Sequence, residues 1–252
     1  MNAATASALG PNMTTQQDVW IIGGYQSDFA RNFTKESLDI SDLVKETATG
    51  TLAAAGISTA EVQVIHVANA MGELYVKQGH LGSMVASVVP ELSGVPATRH
   101  EAACASGGVA VMAAMADLES GRYDVALVLG VEIERNVPGT VGAGHLASAA
   151  WVGHEGEGQD FVWPFTFSQI AEEYDRRYGL QDGHLRTIAA QNIANARTNP
   201  QGADSQLGDT CGVLQRRRQR QPSCRRAGSA LRLQPGHRWR SGDRPGLGPM
   251  VA

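Results

Sequence analysis

The stretch "GGVAVMAAMADLESGRYDVALVLGVE", residues 107–132, restricts the fold more than any other part of the chain. Its first half is apolar on every side of a helix, which calls for burial all round rather than along one stripe. Gly121 breaks that run. "YDVALVLGVE" then continues as an unbroken aliphatic segment, the pattern of a strand covered on both faces. A fully apolar helix leading into a fully apolar strand has few stable homes, and the main one is a mostly parallel sheet with helices on its faces.

The alternation extends toward the N-terminus. "DVWIIGGYQSDF" reads as a short apolar strand closed by Gly23-Gly24. In "LDISDLVKETATGTLAAAGI", Ile40, Val44, Thr47, Ala48, Thr51 and Ala55 recur at helical spacing, and Gly56 stands where a helix C-cap belongs. A β-rich run follows from Val62 to Val67, then "GHLGSMVASVVPEL" as a helix stopped near Pro90, then "GVPATRHEA" as a short strand. The expected fold class is therefore α/β, with residues 18–134 as its core.

From Arg135 the character changes. "NVPGTVGAGHLASAAWVGHEGEGQDFVWPF" is rich in glycine and poor in periodicity, the mark of a long functional loop. Helices over Ser168–Tyr178 and Gly183–Ala196 follow, ended by "TNP", so residues 135–205 form a loop region with two helices. Residues 1–17 read as a loose leader, without a basic start or a continuous apolar core, and no stretch is long enough to span a bilayer.

The formal charge of −4 conceals a division. Ten arginines stand against one acid, Asp243, from Cys211 to Ala252, so this tail carries +9 and the preceding residues −13. "QRRRQRQPSCRRAGSALRLQPGHRWRSGDRPGLGP" contains no Ile, Phe, Tyr, Lys or Glu, and cannot bury enough apolar surface to offset its ordering entropy. Residues 206–252 are expected to be disordered. Their charge would attract phosphate without selectivity, and no nucleic-acid motif accompanies it. An abrupt change to Arg, Gly, Pro, Ser and Gln is what a frameshift near residues 203–212 of a GC-rich gene would produce.

Three cysteines, Cys104, Cys211 and Cys224, with no CxxC, give neither a disulfide framework nor a zinc site, and fit a reducing cytoplasm. Cys104 sits between Ala103, Ala105, Ser106, Gly107 and Gly108, directly ahead of the apolar helix. Two readings stand side by side: a small buried core thiol, or a nucleophile whose thiolate is favoured by the unsatisfied amides and positive end of the helix. Small neighbours would let a substrate carbonyl approach the sulfur.

"EAACASGGVAVMAAMADLESGRYDVALVLGVE" resembles the nucleophile segment of the thiolase superfamily, especially sterol-carrier-type thiolases and related acetyl-CoA acetyltransferases. "IIGGYQSDF", "LAAAGISTAEVQVIHVANA" and "IAAQNIANARTNP" resemble that group in order and spacing, so the likeness runs from about Val19 to Pro200. The resemblance implies the N-terminal half of a thiolase-like fold, with its C-terminal half missing. It implies an acyltransferase of lipid metabolism in which Cys104 takes an acyl group from acyl-CoA as a thioester, for Claisen condensation or thiolytic cleavage. The Cys104 N–H would be one oxyanion donor. CoA thioester enters as substrate, with no metal or other cofactor, and a homo-oligomer or a partner subunit is implied.

The family's second half supplies a histidine, an asparagine and a second cysteine that nothing here matches; Cys211, Cys224 and His237 lie in the wrong setting. Without that half, the helix after Cys104 would present Val109, Val111, Met112, Met115 and Leu118 to water, at about 1.5–3 kcal/mol of lost burial each. The chain alone is then expected to be impaired, insoluble, or dependent on a partner. A ketoacyl synthase shares the cysteine at the helix start, and a non-catalytic acyl-CoA-binding or subunit-interaction remnant is the competing reading from another class.

In the glycine-rich loop, His145 and Trp151 are the candidate substrate-binding residues, with His154 and Trp163 weighed beside them. Solvation of the histidines and core anchoring of the tryptophans are the plain alternatives. Glu132 and Glu134 either orient the site or cap it. Asp175, Arg176 and Arg177 read as a solvated helix face.

Overall fold

A computed structural model describes residues 18–200. The leader (1–17) and the Arg-rich tail, with Cys211, Cys224, His237 and Trp239, lie outside the described residues. The chain divides into two units, and Gln181–Asn199 belongs to the second.

In the first unit, α1 (Ile40–Ala55) opens with a capping box. Asp39 accepts from the Ser41 amide while Asp42 accepts from the Asp39 amide, an arrangement of about 1 kcal/mol. Gly56, at φ 67°, ends the helix in the left-handed conformation that glycine adopts without steric cost. The expected stripe is present: Ile40, Val44, Thr47 and Ala48 are buried, joined by Leu43 and Leu52.

Three strands follow, β1 (Val64–Ala68), β2 (Ala97–His100) and β3 (Ala126–Gly130). All run parallel in the order β2-β1-β3, with Ile65 opposite Ala97 and Leu127 in register. Parallel strands need crossovers, supplied by α2 (Gly72–Tyr75) with α3 (Leu81–Val88), and by α4 (Ser106–Glu119). α1 and α3 share the main core with Ile65, Val67, Leu127 and Leu129, while α4 packs against all three strands. Strand alternation therefore assigns β1's odd positions to the first layer and places His66 beneath α4.

β1 is buried at every position, as a central parallel strand should be. β3 departs from its expectation: Leu127 and Leu129, on the side of α1 and α3, are buried, but Ala126 and Val128, on the side of α4, only partly. The expected strand at "DVWIIGG" does not form. That segment finds no ladder partner among the described residues; Trp20, Ile21 and Ile22 stay 77%, 93% and 60% exposed, and the chain turns onto α1, where Tyr25 donates to Glu46.

The helix after Cys104 forms, yet only Ser106, Ala110 and Ala114 of α4 are buried. Val109, Val111, Met112 and Met115 are exposed and Leu118 is half-buried, so the face expected to meet a second half is open. The glycine-rich region is also more ordered than its composition suggests. It contains α5 (Gly139–Ala147), and the next helix, α6 (Val162–Tyr178), begins six residues before Ser168 with Pro164 in its first turn, where a missing amide hydrogen is harmless. In the second unit α7 spans Asp182–Arg197.

Candidate functional site

Because β2 and β3 are parallel, α4 must run back against the strands, which brings its N-terminus to their carboxyl ends. In open α/β sheets that edge is where ligands bind. Cys104 lies there, exposed, in a tight turn of Ala103–Ala105 that feeds α4. The core-thiol reading is corrected: an exposed sulfur contributes no buried packing.

The turn is held by its neighbours. Ala103 adopts φ 49°, a left-handed conformation that side-chain-bearing residues avoid at about 1–2 kcal/mol. Ser106, buried, fixes it from both sides: its hydroxyl donates to the Ala103 carbonyl at 2.7 Å and accepts from the Ala102 amide at 2.9 Å. Glu101 accepts from the Ala103 amide, and the Ala105 amide donates to the Ala102 carbonyl. Above Gly107 and Gly108 there is open space.

A 600 Å³ cavity adjoins this turn. Ala102 and Ala103 form one wall, Ala70, Met71 and Leu74 another, and Ser148 and Ala149 close it from the segment after α5. Arg99 pairs with Glu73 at its rim and reaches the Asn69 carbonyl, which holds the Glu73 carboxyl below the usual carboxylate range. Beneath the floor, Glu132 accepts from the Ala70 amide at 2.7 Å and the Met71 amide at 3.3 Å. Asn69 donates to the Val131 carbonyl and accepts from the Gly72 amide. Glu132 thus orients the loop after β1. Burial, then the neighbouring Glu132, pushes the Glu134 carboxyl up.

The structure brings the glycine-rich region to the Cys104 turn through Ser148 and Ala149. His145 instead packs edge-on against Tyr75, with ring centroids 4.9 Å apart, and Tyr75 donates to the Gly142 carbonyl. Trp151 is 67% exposed and stacks on His154 at 3.9 Å. Trp163 anchors α6 by donating to the Leu146 carbonyl. Arg176 and Arg177 pair with Glu173 on an exposed face, as expected.

A second group escaped sequence reasoning. His66, buried in β1, lies 2.9 Å by Nδ1 from His100 Nε2 at the end of β2, and 3.3 Å by Nε2 from an Asp117 carboxylate oxygen on α4. The available signal was a lone polar residue inside the aliphatic run "VIHVA". Among the described residues no group of three His, Cys, Asp or Glu side chains converges as metal ligands would, and no helix is long and apolar enough to cross a membrane.

Comparison with known proteins matches residues 19–205 to the N-terminal domain of thiolase. The acetyl-CoA acetyltransferase of Methanothermobacter thermautotrophicus is 31% identical over 187 residues, covering 73% of this chain and 46% of that protein. That of Methanocaldococcus jannaschii is 33% identical over 165 residues, 65% of this chain and 40% of the relative. Sterol carrier protein 2 of Gallus gallus is 26% identical over 201 residues, 76% and 35% respectively. Among solved structures, the acetyl-CoA acetyltransferase from Syntrophomonas wolfei superimposes with a TM-score of 0.49 at 19% identity, over 70% of this chain and 45% of that one. The chain spans less than half the length of these curated relatives.

Proposed function

The chain belongs to the thiolase family over residues 19–205, and from that premise we propose that it carries the nucleophilic half of a thiolase-type acyltransferase acting on acyl-CoA, with Cys104 as the acyl acceptor. The observation that carries the proposal is the exposed Cys104 sulfur at the start of α4, on the carboxyl edge of a parallel sheet.

The chemistry follows from the turn. The Cys104 sulfur, as thiolate, attacks the thioester carbonyl carbon; a carbon–sulfur bond forms and the carbonyl electron pair moves onto oxygen. That pair then returns and the bond to CoA sulfur breaks, so CoA leaves as thiolate and takes up the proton that Cys104 gave away. Of the amides in the turn, those of Ala103 and Ala105 are already engaged, which leaves the Cys104 N–H for the developing oxyanion. The cavity lined by Ala102, Ala103 and Ser148 adjoins the turn that carries Cys104, and the acyl group is assigned to it. The acyl-enzyme is then resolved by the carbanion of acetyl-CoA, once its methyl has lost a proton to a base, or by CoA in the cleavage direction. Acetyl-CoA acetyltransferase chemistry in lipid metabolism is the corresponding overall reaction.

The open face of α4 supports a second element of the proposal. Exposed Val109, Val111, Met112 and Met115 stand beside the nucleophile, so turnover requires a partner surface or another subunit over that helix, even where acylation does not. The test is to incubate the intact chain with acetyl-CoA and map the adduct by mass spectrometry. One acetyl group on Cys104, absent from Cys104→Ala, is expected; an unmodified Cys104 in a folded chain would leave the non-catalytic reading in its place.

A further inference from the structure

The loop of chain that carries Cys104 is clasped at both ends by one buried imidazole. His100 closes β2 four residues before Cys104, and Asp117 lies on the last turns of α4, thirteen residues after it. Both reach His66, whose side chain is only 4% exposed. The three come from β2, α4 and β1, so the row ties the strand end and the helix, which flank the nucleophile turn, to the centre of the sheet.

Proton placement within the row is constrained. The two imidazole rings are inclined to one another by 29° with centroids 5.1 Å apart, and His66 Nδ1 and His100 Nε2 stand 2.9 Å apart, within reach of an N–H···N bond. If His66 donated from Nδ1, its Nε2 lone pair would face the Asp117 carboxylate in a buried site, an unfavourable contact. The consistent arrangement has His100 donating from Nε2 to His66 Nδ1, and His66 directing its Nε2–H toward Asp117. The Asp117 oxygen, 3.3 Å from His66 Nε2, faces that proton as an acceptor and favours this tautomer, although the contact is off the line of a full hydrogen bond.

A buried polar row of this kind is poor value as a source of stability, since an apolar trio of similar volume would hold the layers without desolvating charge. Its use is in specifying one geometry. We infer that Asp117, His66 and His100 form a positioning row that sets the seat of α4 on the sheet and thereby the placement of Cys104. The inference rests on the assignment of Cys104 as the reacting group, and His66, His100 and Asp117 are positioning residues that act through the turn.

Asp117 is the residue to vary, because its side chain is 34% exposed and its loss leaves no large cavity. Asp117→Asn keeps an oxygen for the His66 N–H, whereas Asp117→Leu removes it. The intact chain and each variant are treated with iodoacetamide, and modification of Cys104 is followed by peptide mass spectrometry. This probe needs no acyl-CoA, so it reports on the turn even if acyl transfer fails. Asp117→Leu is expected to change the Cys104 alkylation rate by at least about threefold, as small misplacements of a reacting group do, with Asp117→Asn restoring it. Nitrogen-15 spectra should show both His66 and His100 protonated at Nε2 in the wild type, with His66 released from that tautomer in Asp117→Leu. Equal alkylation rates in all three proteins, or a His66 proton on Nδ1 in the wild type, would overturn the inference. Should Asp117→Leu fail to fold, His100→Gln, which keeps a donor to His66, and His100→Leu, which does not, make the same comparison with the same two outcomes.

Discussion

The Ser106 hydroxyl donates to the carbonyl of Ala103 at 2.7 Å, across the turn that has Cys104 at its centre. Ser106 is buried and also accepts from the Ala102 amide, so its hydroxyl supplies the Ala102 amide with a partner and adds a second bond to the Ala103 carbonyl, which the Ser106 amide also reaches. Ser106→Ala removes both bonds. The expected loss is about 1–3 kcal/mol, read as a lower urea midpoint with an unchanged slope, and the Cys104 turn loses its fixed geometry. A proteolysis or hydrogen-exchange map should show the loosening centred on residues 102–106. An unchanged midpoint would mean that the turn is held without the hydroxyl.

Acid sensitivity should originate beneath α4. Burial, then the nearby His100, holds the His66 imidazole below its ordinary value, with Asp117 acting in the opposite direction. A histidine whose folded pKa is depressed binds its proton more readily in the unfolded chain, so the folded state is favoured above the unfolded value of about 6.5 and that advantage is lost as pH falls below it. Melting temperature is expected to decline between pH 7 and pH 5, and His66→Leu should flatten the decline in that window. A steeper decline in His66→Leu than in the wild type would contradict this assignment.

The layers of the fold were legible because they rest on periodicity. The α1 stripe with Gly56 behind it, and the aliphatic runs of β1 and β3, follow from local patterns that burial then enforces. What could not be read depends on partners distant in sequence. Trp20, Ile21 and Ile22 have strand-forming side chains, but a strand exists only through a neighbour, and the described residues supply none. The apolar composition of α4 implied a buried helix, while burial depends on what packs against it, and only the stripe of Ser106, Ala110 and Ala114 is buried. At the site, Cys104 stood out through its small neighbours and its position before a helix. His145 and Trp151 stand out by residue type within a loop; in the folded chain His145 packs against Tyr75 and Trp151 stacks on His154, while Ser148 and Ala149 line the cavity. His66, His100 and Asp117 come together only through parallel strand pairing and the return of α4, a relationship that no spacing in the sequence records.

Stability should be concentrated in the layer beneath α1 and α3. Leu81 is fully buried in α3 against that core. Leu81→Ala is expected to lower unfolding free energy by about 2–5 kcal/mol, the transfer loss plus the cavity left behind. Denaturant titration followed by tryptophan emission and by circular dichroism checks both the size and the coincidence of the transitions. A loss below about 1 kcal/mol would mean that α3 is not a cooperative part of this layer.

Met112 gives the opposite expectation, and the contrast tests whether the exposed face of α4 is part of the folding core. Its side chain is 69% exposed on a helix whose buried side is made of Ser106, Ala110 and Ala114. Met112→Lys replaces an apolar surface residue with one of similar helix propensity, so the unfolding midpoint should move by no more than about 0.5 kcal/mol. Association should change instead. Val109, Val111 and Met115 surround Met112 in an uncharged stretch running from Ser106 to Ala116, and contiguous apolar surface of this kind drives self-association or precipitation. A charge at its centre is expected to raise the soluble fraction and reduce the apparent mass in light scattering, with the melting curve unchanged. If Met112→Lys instead destabilised the chain by several kcal/mol, the face would be covered in solution by the chain itself, and the requirement for a partner surface in turnover would lose its basis.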